Sequence, residues 1–371
     1  MLLEKPMATL LTDCKEITMA SRQNPKQVNA VCHVLRYFAP CIKIKELIDS
    51  RIIGDVVNIN HTEPVGFWHF AHSFVRGNWH NEKESAFSLL AKCCHDIDLL
   101  MYWMSKKQCT KVSSFGSLFH FRKENAPRNS TENCFACECE NSCPYSAKKI
   151  YLNPLLNHGK WPCSIVLNSE IQNIFENESI DIEDLLSKND SEKRDLLQKC
   201  LENKKTTYGR CVYRLDNDVC DNQVVNMEFD DGATASLTMI AFSGNICQRK
   251  TKIYGTLGEI EWDDSKSSSQ IVHYDFLTKK TNLIDCSSAT PKTRDNPVDD
   301  LGGLKGHGGS DYWLMDSFIE AVLRNDKSLV LTDVEDSFKS HLIVFAAEES
   351  RLSKQVVDID EFKKLNNILF A

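Results

Sequence analysis

The sequence lacks any uninterrupted apolar stretch of the roughly 18 residues that a transmembrane helix requires. It also lacks blocks of Lys and Arg, and its net charge of −8 at pH 7 disfavours a general nucleic-acid partner. Its N-terminus does not show the basic and then apolar pattern of a secretory signal. We therefore expect a cytoplasmic protein with neither a membrane nor a nucleic-acid partner.

The composition is that of a globular protein large enough for two domains. The chain has 371 residues, of which 42% are hydrophobic and 26% are charged. Its 16 cysteines would indicate disulfides in a short secreted chain. In a long chain without a secretory signal, we expect them to be reduced thiols.

Four of these cysteines form the pattern C-x2-C-x-C-x3-C, at Cys134, Cys137, Cys139 and Cys143. Four thiolates can bind zinc, with Cys163, Cys211 or Cys220 as further ligands. The strong zinc pattern has two separated C-x2-C pairs, whereas these four thiols share one short loop. We favour unliganded thiols and no metal, and an iron–sulfur cluster fits less well than zinc.

The first 53 residues show the strand–helix alternation of a doubly wound parallel sheet. Thr12 or Asp13 can cap a helix that runs to Gln23, and Val28–Tyr37 is predicted to be a buried strand. Ile42–Ile52 has helical periodicity and is followed by Gly54. We interpret residues 1–53 as the C-terminal remnant of a dinucleotide-binding domain.

Residues 54–371 change to a strand-rich pattern, typical of an α+β domain with a large, open and mostly antiparallel sheet with flanking helices. The predicted strands are 56–63, Val112–Phe121, Val224–Phe229, Ala233–Ala241, Thr251–Tyr254, Glu259–Trp262 and Ile271–Phe276. Helices are predicted over Tyr312–Arg324 and from Thr332 or Asp333 to Leu352. Residues 122–210 form a Cys-rich and acidic insertion, in which Glu170–Asp195 is a solvated, helix-bearing segment.

Leu89–Met104 has apolar residues at intervals of three and four and is predicted to be one buried amphipathic helix. Lys92, His95 and Asp96 follow this spacing beside the apolar stripe. A lysine, an imidazole and a carboxylate suit proton transfer or hydride transfer. Spacing alone favours a core helix with a hydrogen-bonded histidine and a solvated Asp.

Two further segments carry candidate site residues. Lys5, in Glu4-Lys5-Pro6, follows a predicted strand end, and open α/β sheets bind ligands at that edge. An aromatic and His-rich segment can supply flat rings and donors for a sugar. Its members are Trp68, His69, His72, Arg76, Trp79 and His80. The alternatives are a surface lysine and a packing surface.

Taken in order, these motifs resemble the Gfo/Idh/MocA family of NAD(P)-dependent oxidoreductases. The resemblance rests on Leu3-Glu4-Lys5-Pro6, on Val34-Leu35-Arg36-Tyr37 with Pro40, on the segment KIKELIDSRIIGDVVNI, and on the helix with His95. It implies hydride transfer between NAD or NADP and a CH–OH group of a sugar or polyol. It also implies a homo-oligomer formed through the sheet of the C-terminal domain.

The resemblance implies roles for individual residues. Lys5 matches the active-site lysine and His95 the general acid or base, while Lys92 and Asp96 are candidates for tuning that histidine. Ala91 occupies the position where many members have an Asp. The expected cofactor contacts are Glu4, Lys5, Pro6 and Arg36, and the expected substrate contacts are Arg36, Trp68, His72, Arg76, Trp79 and His307.

The family's dinucleotide fingerprint G-x-G-x-x-G does not occur in this sequence. We therefore expect weak NAD(P) binding, from a truncated oxidoreductase or from a form that has lost catalysis. The main alternative is a non-catalytic binding or scaffold subunit that retains the sheet domain. A weaker alternative is NAD-dependent elimination of the glycosidase type.

Overall fold

The computed structural model describes residues 1–174, 188–291 and 306–369. The predicted segment Glu170–Asp195 lies partly outside these residues. Within them, no helix is long and apolar enough to cross a membrane.

The chain opens with a two-stranded parallel sheet, as its alternating pattern predicts. The strands are β1 (Leu2–Leu3) and β2 (Ala30–Val31), and helix α1 (Leu11–Gln23) connects them. The predicted strand Val28–Tyr37 is wrong beyond Val31, because a 3-10 turn over Val34–Tyr37 follows and leads into helix α2 (Ala39–Asp49). This turn takes the chain away from the sheet directly after β2.

A nine-stranded sheet dominates the rest of the chain, with the strand order β10-β9-β8-β7-β3-β6-β5-β4-β11. Neighbouring strands are antiparallel except for β3 and β6, which are parallel. The strands are β3 (Val56–Pro64), β4 (Cys109–Ser117), β5 (Asn222–Phe229), β6 (Thr234–Ile240), β7 (Lys250–Gly255), β8 (Gly258–Asp263), β9 (Gln270–Asp275), β10 (Thr281–Asp285) and β11 (Val357–Asp358). The fold class is thus the predicted one, although β10 and β11 were not predicted.

One face of this sheet forms the core, and the period of two explains why. In β6, Ala235, Leu237 and Met239 are buried, while Thr234 and Ser236 lie on the other face.

The helices are α2 (Ala39–Asp49), α3 (Phe67–Phe70), α4 (Ser88–Ala91), α5 (Cys94–Trp103), α6 (Ala147–Tyr151), α7 (Cys163–Ile174), α8 (Asp190–Glu202), α9 (Ser310–Arg324), α10 (Val334–Ser353) and α11 (Ile359–Leu365). Helix α10 packs on β4 and α5, and Asp333 caps it as predicted.

The predicted single helix over Leu89–Met104 is wrong, because it is broken into α4 and α5 at Lys92 and Cys93. Lys92 has φ −111° and ψ −60°, outside ideal helical geometry. The break turns the Lys92 side chain toward the sheet and starts a new helix one residue before His95. The site is built around this break.

Candidate active site

Lys5 lies just beyond the carboxyl end of β1, at the edge of the parallel sheet. Its Nζ donates a hydrogen bond of 2.9 Å to the carbonyl oxygen of Ala91, the last residue of α4. The ring centre of Trp79 lies 6.0 Å from the same nitrogen. Glu4 is exposed and accepts a hydrogen bond from the Lys5 backbone N–H, and Pro6 continues the same segment. Lys5 is therefore held at the helix break.

His95 lies in the first turn of α5 and is 7% exposed. Burial, and then the nearby charge of Lys5, hold the pKa of His95 well below its ordinary value. Among the described residues, its Nδ1 has no hydrogen-bond partner. His95 is thus a neutral imidazole at pH 7 with a nitrogen free to interact with a ligand.

Two further histidines flank His95. The ring centre of His33, just after β2, lies 5.6 Å away, and burial lowers the pKa of His33 to about 3. On the other side, the ring of the exposed His307 lies 6.5 Å from His95, and its Nδ1 contacts Asp311. The predicted substrate contact His307 therefore lies beside the predicted acid or base. His33 was not predicted to belong to the site.

Lys92 leaves the helix break toward the carboxyl end of β3. Its Nζ lies 3.4 Å from the Glu63 carboxylate and 3.0 Å from the Cys247 Sγ. Burial, the largest single effect, lowers the pKa of Lys92, but Glu63 and Cys247 together outweigh burial and raise the pKa. Lys92 therefore remains a cation, with Glu63 as its counter-ion.

Asp96 belongs to the same buried network rather than to His95. It accepts a hydrogen bond of 2.6 Å from the Arg249 Nε and lies 3.0 Å from the His61 Nε2. Burial, the largest single effect, raises the pKa of Asp96, but the Arg249 guanidinium and His61 together outweigh burial and lower the pKa. Arg249 also lies 3.3 Å from Glu63, so Asp96 and Lys92 share one charge network.

Arg36 is not placed as expected for a cofactor or substrate contact. It is 3% exposed and donates two hydrogen bonds of 2.7 Å to Asp98. Its third nitrogen donates to the Leu331 carbonyl oxygen. The guanidinium thus connects the turn after β2 to α5 and to the segment before α10.

The residues of the aromatic and His-rich segment lie in two separate regions, one beside Lys5 and Lys92 and the other around Tyr151 and Arg210. Gly66 starts α3 with φ +97°, a conformation that favours glycine. Trp68 and His69 lie on α3, and the His69 Nδ1 is 3.3 Å from the Cys247 Sγ. Trp79 borders Lys5, His69 reaches Lys92 through Cys247, and the Trp68 ring lies beside His69.

His72 and Arg76, on the following π-helical turn Ala71–Arg76, point elsewhere. The His72 Nδ1 lies 2.9 Å from the Tyr151 hydroxyl. Arg76 donates to the carbonyl oxygens of Arg210 and Tyr145. The structure therefore does not bring these two predicted substrate contacts to Lys5 and His95.

The cysteine cluster surrounds Arg76 instead. Cys134, Cys137, Cys139 and Cys143 line one small cavity with Cys211 and Arg76. In the part of the chain that the structure describes, no three or more His, Cys, Asp or Glu residues are arranged to hold a metal ion. The zinc alternative therefore gains no support.

Glu63, Cys247, Arg249 and His33 are the site residues that sequence analysis missed. Glu63 gave one signal, since it lies on a strand position where alternation predicts burial, and it is 0% exposed. Cys247 and Arg249 lie more than 150 residues from Lys92 and Asp96, so no local spacing connects them. His33 was missed because the predicted strand Val28–Tyr37 extends past the end of β2 at Val31 and places His33 inside a strand.

The buried His72 makes stability depend on pH. Burial, and then Arg76, lower its pKa to about 4, whereas an unfolded imidazole titrates near 6.5. As the pH falls from about 7 to 5, the unfolded state gains the proton first, and the native state loses on the order of 1–2 kcal/mol. We expect urea unfolding of His72→Phe to show a smaller loss over this range by that amount. His307→Gln, at an exposed position, is the control, and an unchanged pH dependence in His72→Phe would contradict this expectation.

A sequence profile described as "Oxidoreductase family, C-terminal alpha/beta domain" matches residues 45–140 and 182–359, more than half of the chain. An uncharacterized oxidoreductase of Streptococcus pneumoniae serotype 4 (strain ATCC BAA-334 / TIGR4) is 29% identical over 117 residues. That match spans 32% of this chain and only 30% of the relative.

Solved structures share the fold at low sequence identity. Levoglucosan dehydrogenase in complex with NADH and levoglucosan has a TM-score of 0.60 and 15% identity. The match covers 96% of this chain and 73% of that one. An oxidoreductase from Agrobacterium radiobacter in complex with NAD+, L-tartaric acid and magnesium has a TM-score of 0.55 and 13% identity, with coverages of 97% and 73%.

Proposed function

Because the chain belongs to the Gfo/Idh/MocA oxidoreductase family, we propose that it transfers a hydride between NAD(P) and a CH–OH carbon of a sugar or polyol. The observation that carries this proposal is the pairing of a neutral, buried His95 with the cationic Lys5 at a sheet edge. Oxidation of a carbinol requires a base for the hydroxyl proton and a cation for the developing oxyanion. The two residues supply these groups.

In this proposal, the protein's own residues accept the proton, stabilise the charge on the oxygen and contact the substrate. The unpartnered Nδ1 of His95 accepts the hydroxyl proton, and the Lys5 ammonium stabilises the negative charge on the oxygen. Lys92, fixed by Glu63, offers a second cation whose charge acts on His95. Trp68 and Trp79 supply apolar ring faces for the substrate. Bound NAD(P) supplies the hydride chemistry.

The residues present fit the nicotinamide end of the cofactor. Buried nitrogens on His95 and His33, for which the described residues supply no hydrogen-bond partner, lie at the carboxyl edge of the parallel sheet, the usual ligand edge of such folds. The chain has no G-x-G-x-x-G motif for the pyrophosphate, so we expect weak affinity. Levoglucosan and tartrate, which the similar structures bind, support a small hydroxylated substrate.

A titration with NADH, followed by nicotinamide fluorescence, tests the proposal. We expect saturable binding in the wild type, weaker binding in Lys5→Ala and unchanged binding in the exposed control Lys26→Ala. Sugars and polyols offered with NAD+ should then yield NADH. The absence of saturable binding and of turnover would contradict catalysis and favour the non-catalytic binding subunit.

Self-association through the large sheet remains part of this proposal. Apolar side chains such as Phe115 on β4 and Leu283 on β10 are 69% and 68% exposed. Sedimentation velocity measures whether the chain is a homo-oligomer.

A further inference from the structure

A cleft lies where helices α5, α10 and α11 meet the start of β4. It has a volume of about 240 Å³, below the roughly 300 Å³ at which clefts for drug-sized ligands begin, so it suits a smaller molecule. None of Lys5, Lys92 and His95 lines it. The proposed hydride transfer therefore gives this cleft no role.

Part of the wall of the cleft is apolar. The residues of this part come from α5, α10 and α11, and they are Met101, Tyr102, Leu342, Ile343 and Ile359. A flat ring and branched aliphatic side chains are the usual lining of a site that accepts the apolar body of a small ligand.

Positive charge predominates in the rest of the lining. Asp336 is the one carboxylate among the described lining residues, whereas the lining cations are Arg36, Lys107, Lys339 and Lys363. Tyr102 and Cys109 add no negative charge at pH 7, because burial raises the pKa of each to about 12. In a chain whose net charge is −8, this excess of positive charge is local to the cleft.

Two of the lysines lie directly beside the apolar wall. Lys339 precedes Ile343 by four residues on α10, and Lys363 follows Ile359 by four residues on α11. Residues at this spacing are neighbours on one face of a helix. The cleft therefore presents a cation next to an apolar side chain on each of these two helices.

The existing ion pairs leave these lysines available to a ligand. Lys363 lies 3.6 Å from Asp360, an exposed residue that does not line the cleft. Lys339 lies 3.0 Å from Asp336, and both of these side chains are about half exposed. Exposed pairs of this kind contribute at most about 1 kcal/mol, so a carboxylate inside the cleft can compete with them. Arg36, by contrast, is neutralised by its two hydrogen bonds to Asp98.

We propose that this cleft binds a small carboxylate with an apolar body, such as a short fatty acid or an aryl carboxylate. The apolar body packs against Tyr102, Ile343 and Ile359. The carboxylate lies between Lys339 and Lys363. This inference is independent of the proposed function, because it uses none of the residues assigned to hydride transfer.

The test compares acids with neutral molecules of the same shape on the full chain, without NADH. The probes are benzoate and hexanoate, with benzamide and hexanamide as their neutral counterparts, titrated by ligand-observed NMR. We expect at least one carboxylate to bind about tenfold more tightly than its amide. Added salt should weaken the binding of the carboxylate more than that of the amide.

Two neighbouring lysines on α11 form a matched pair of variants. Lys363→Gln should weaken binding of the carboxylate by about threefold and leave the amide unchanged, because it removes one cation of the lining. Lys364→Gln is the control, since Lys364 is exposed and does not line the cleft.

A variant that fills the cleft tests the location. Ser105 lines the cleft and is exposed, so Ser105→Trp should block the cleft and abolish binding of all probes. Lys106→Trp, at the next residue, is the control, because Lys106 does not line the cleft. Circular dichroism of all variants verifies folding.

Several outcomes would overturn the proposal. Equal affinity for each acid and its amide, or no binding of any probe at millimolar concentration, refutes a carboxylate site. Binding that survives in Ser105→Trp, or that falls equally in Lys363→Gln and Lys364→Gln, places the ligand elsewhere and also refutes it. The proposed hydride transfer is untouched by each of these results, since its own test is the titration with NADH.

Discussion

Replacing Asp98 with Ala is expected to lower the free energy of unfolding by about 3–5 kcal/mol, because the buried Arg36 guanidinium loses both hydrogen bonds to its counter-ion and keeps only the half-exposed Asp336 carboxylate, 3.7 Å away. Both side chains are almost fully buried, at 3% and 1% exposure. The carboxylate also accepts a hydrogen bond of 2.8 Å from the Ser340 hydroxyl on α10. The substitution thus breaks a contact that joins the β2 turn, α5 and α10.

Equilibrium urea unfolding measures the effect, with two controls. Arg36→Met/Asp98→Leu removes both charges and should lose less stability than Asp98→Ala alone, since no unpaired charge remains. Asp49→Ala removes an exposed partner of Lys45 and should change stability by no more than about 1 kcal/mol. A loss of that small size in Asp98→Ala would show that the buried pair contributes little.

The pH dependence gives a second readout of the same pair. Burial, the largest single effect, raises the pKa of Asp98, but Arg36, together with His33 and Ser340, outweighs burial and holds the pKa below the ordinary value. A carboxyl with a lowered native pKa contributes stability that is complete above the unfolded pKa of about 4. This contribution is lost as the pH falls further, and it should be absent from the double variant.

Seven of the nine strands of the large sheet were predictable, because each of the seven carries its own signal. In β5 and β6, alternating apolar residues flank the turn Asp230-Asp231-Gly232, and Gly232 has φ +86°. Helix α10 shows helical periodicity after the capping residue Asp333. In these elements, local pattern and tertiary burial agree. Short edge strands such as β11, with two residues, are too brief to carry a pattern.

The helix break could not be predicted, because distant contacts produce it. The sequence Leu89–Met104 favours a continuous helix. In the structure, the Ala91 carbonyl oxygen accepts a hydrogen bond from Lys5, and the Lys92 side chain contacts Glu63 and Cys247. These partners lie between 29 and 155 residues away in sequence, so no window of local pattern includes them. Tertiary structure overrides propensity at this point.

The candidate site was predictable only where one residue could be named without its partners. Lys5 and His95 follow from position along the chain and from the resemblance. Arg36 was named for a ligand role, and its partner Asp98, on another element, turns it into a structural cation. Asp96 was predicted to tune His95 because it is adjacent to it in sequence. In the structure, Asp96 instead accepts a hydrogen bond from Arg249 and belongs to the buried charge network. Residue type predicts what a side chain can do, and its partners decide what it does.

His95→Asn is expected to lower kcat/KM for sugar oxidation by about 10²–10⁴-fold, the usual contribution of a positioned general base. The substrate is the one that gives the highest NADH yield in the sugar and polyol screen. His273→Asn, on β9 in the large sheet, is the control and should retain activity. Imidazole added to His95→Gly should restore part of the rate, which a merely structural role of His95 would not allow.

The charge of Lys5 determines the direction in which the pH dependence of kcat/KM should shift when Lys5 is replaced. Burial and the Lys5 charge both lower the pKa of His95, so the acid limb of kcat/KM lies well below pH 6.5 in the wild type. Removal of a neighbouring positive charge stabilises the protonated imidazole and raises its pKa. In Lys5→Gln, the acid limb should therefore move to higher pH, in addition to the lower rate from the lost oxyanion contact. An acid limb that stays in place while the rate falls would mean that His95 is not the base.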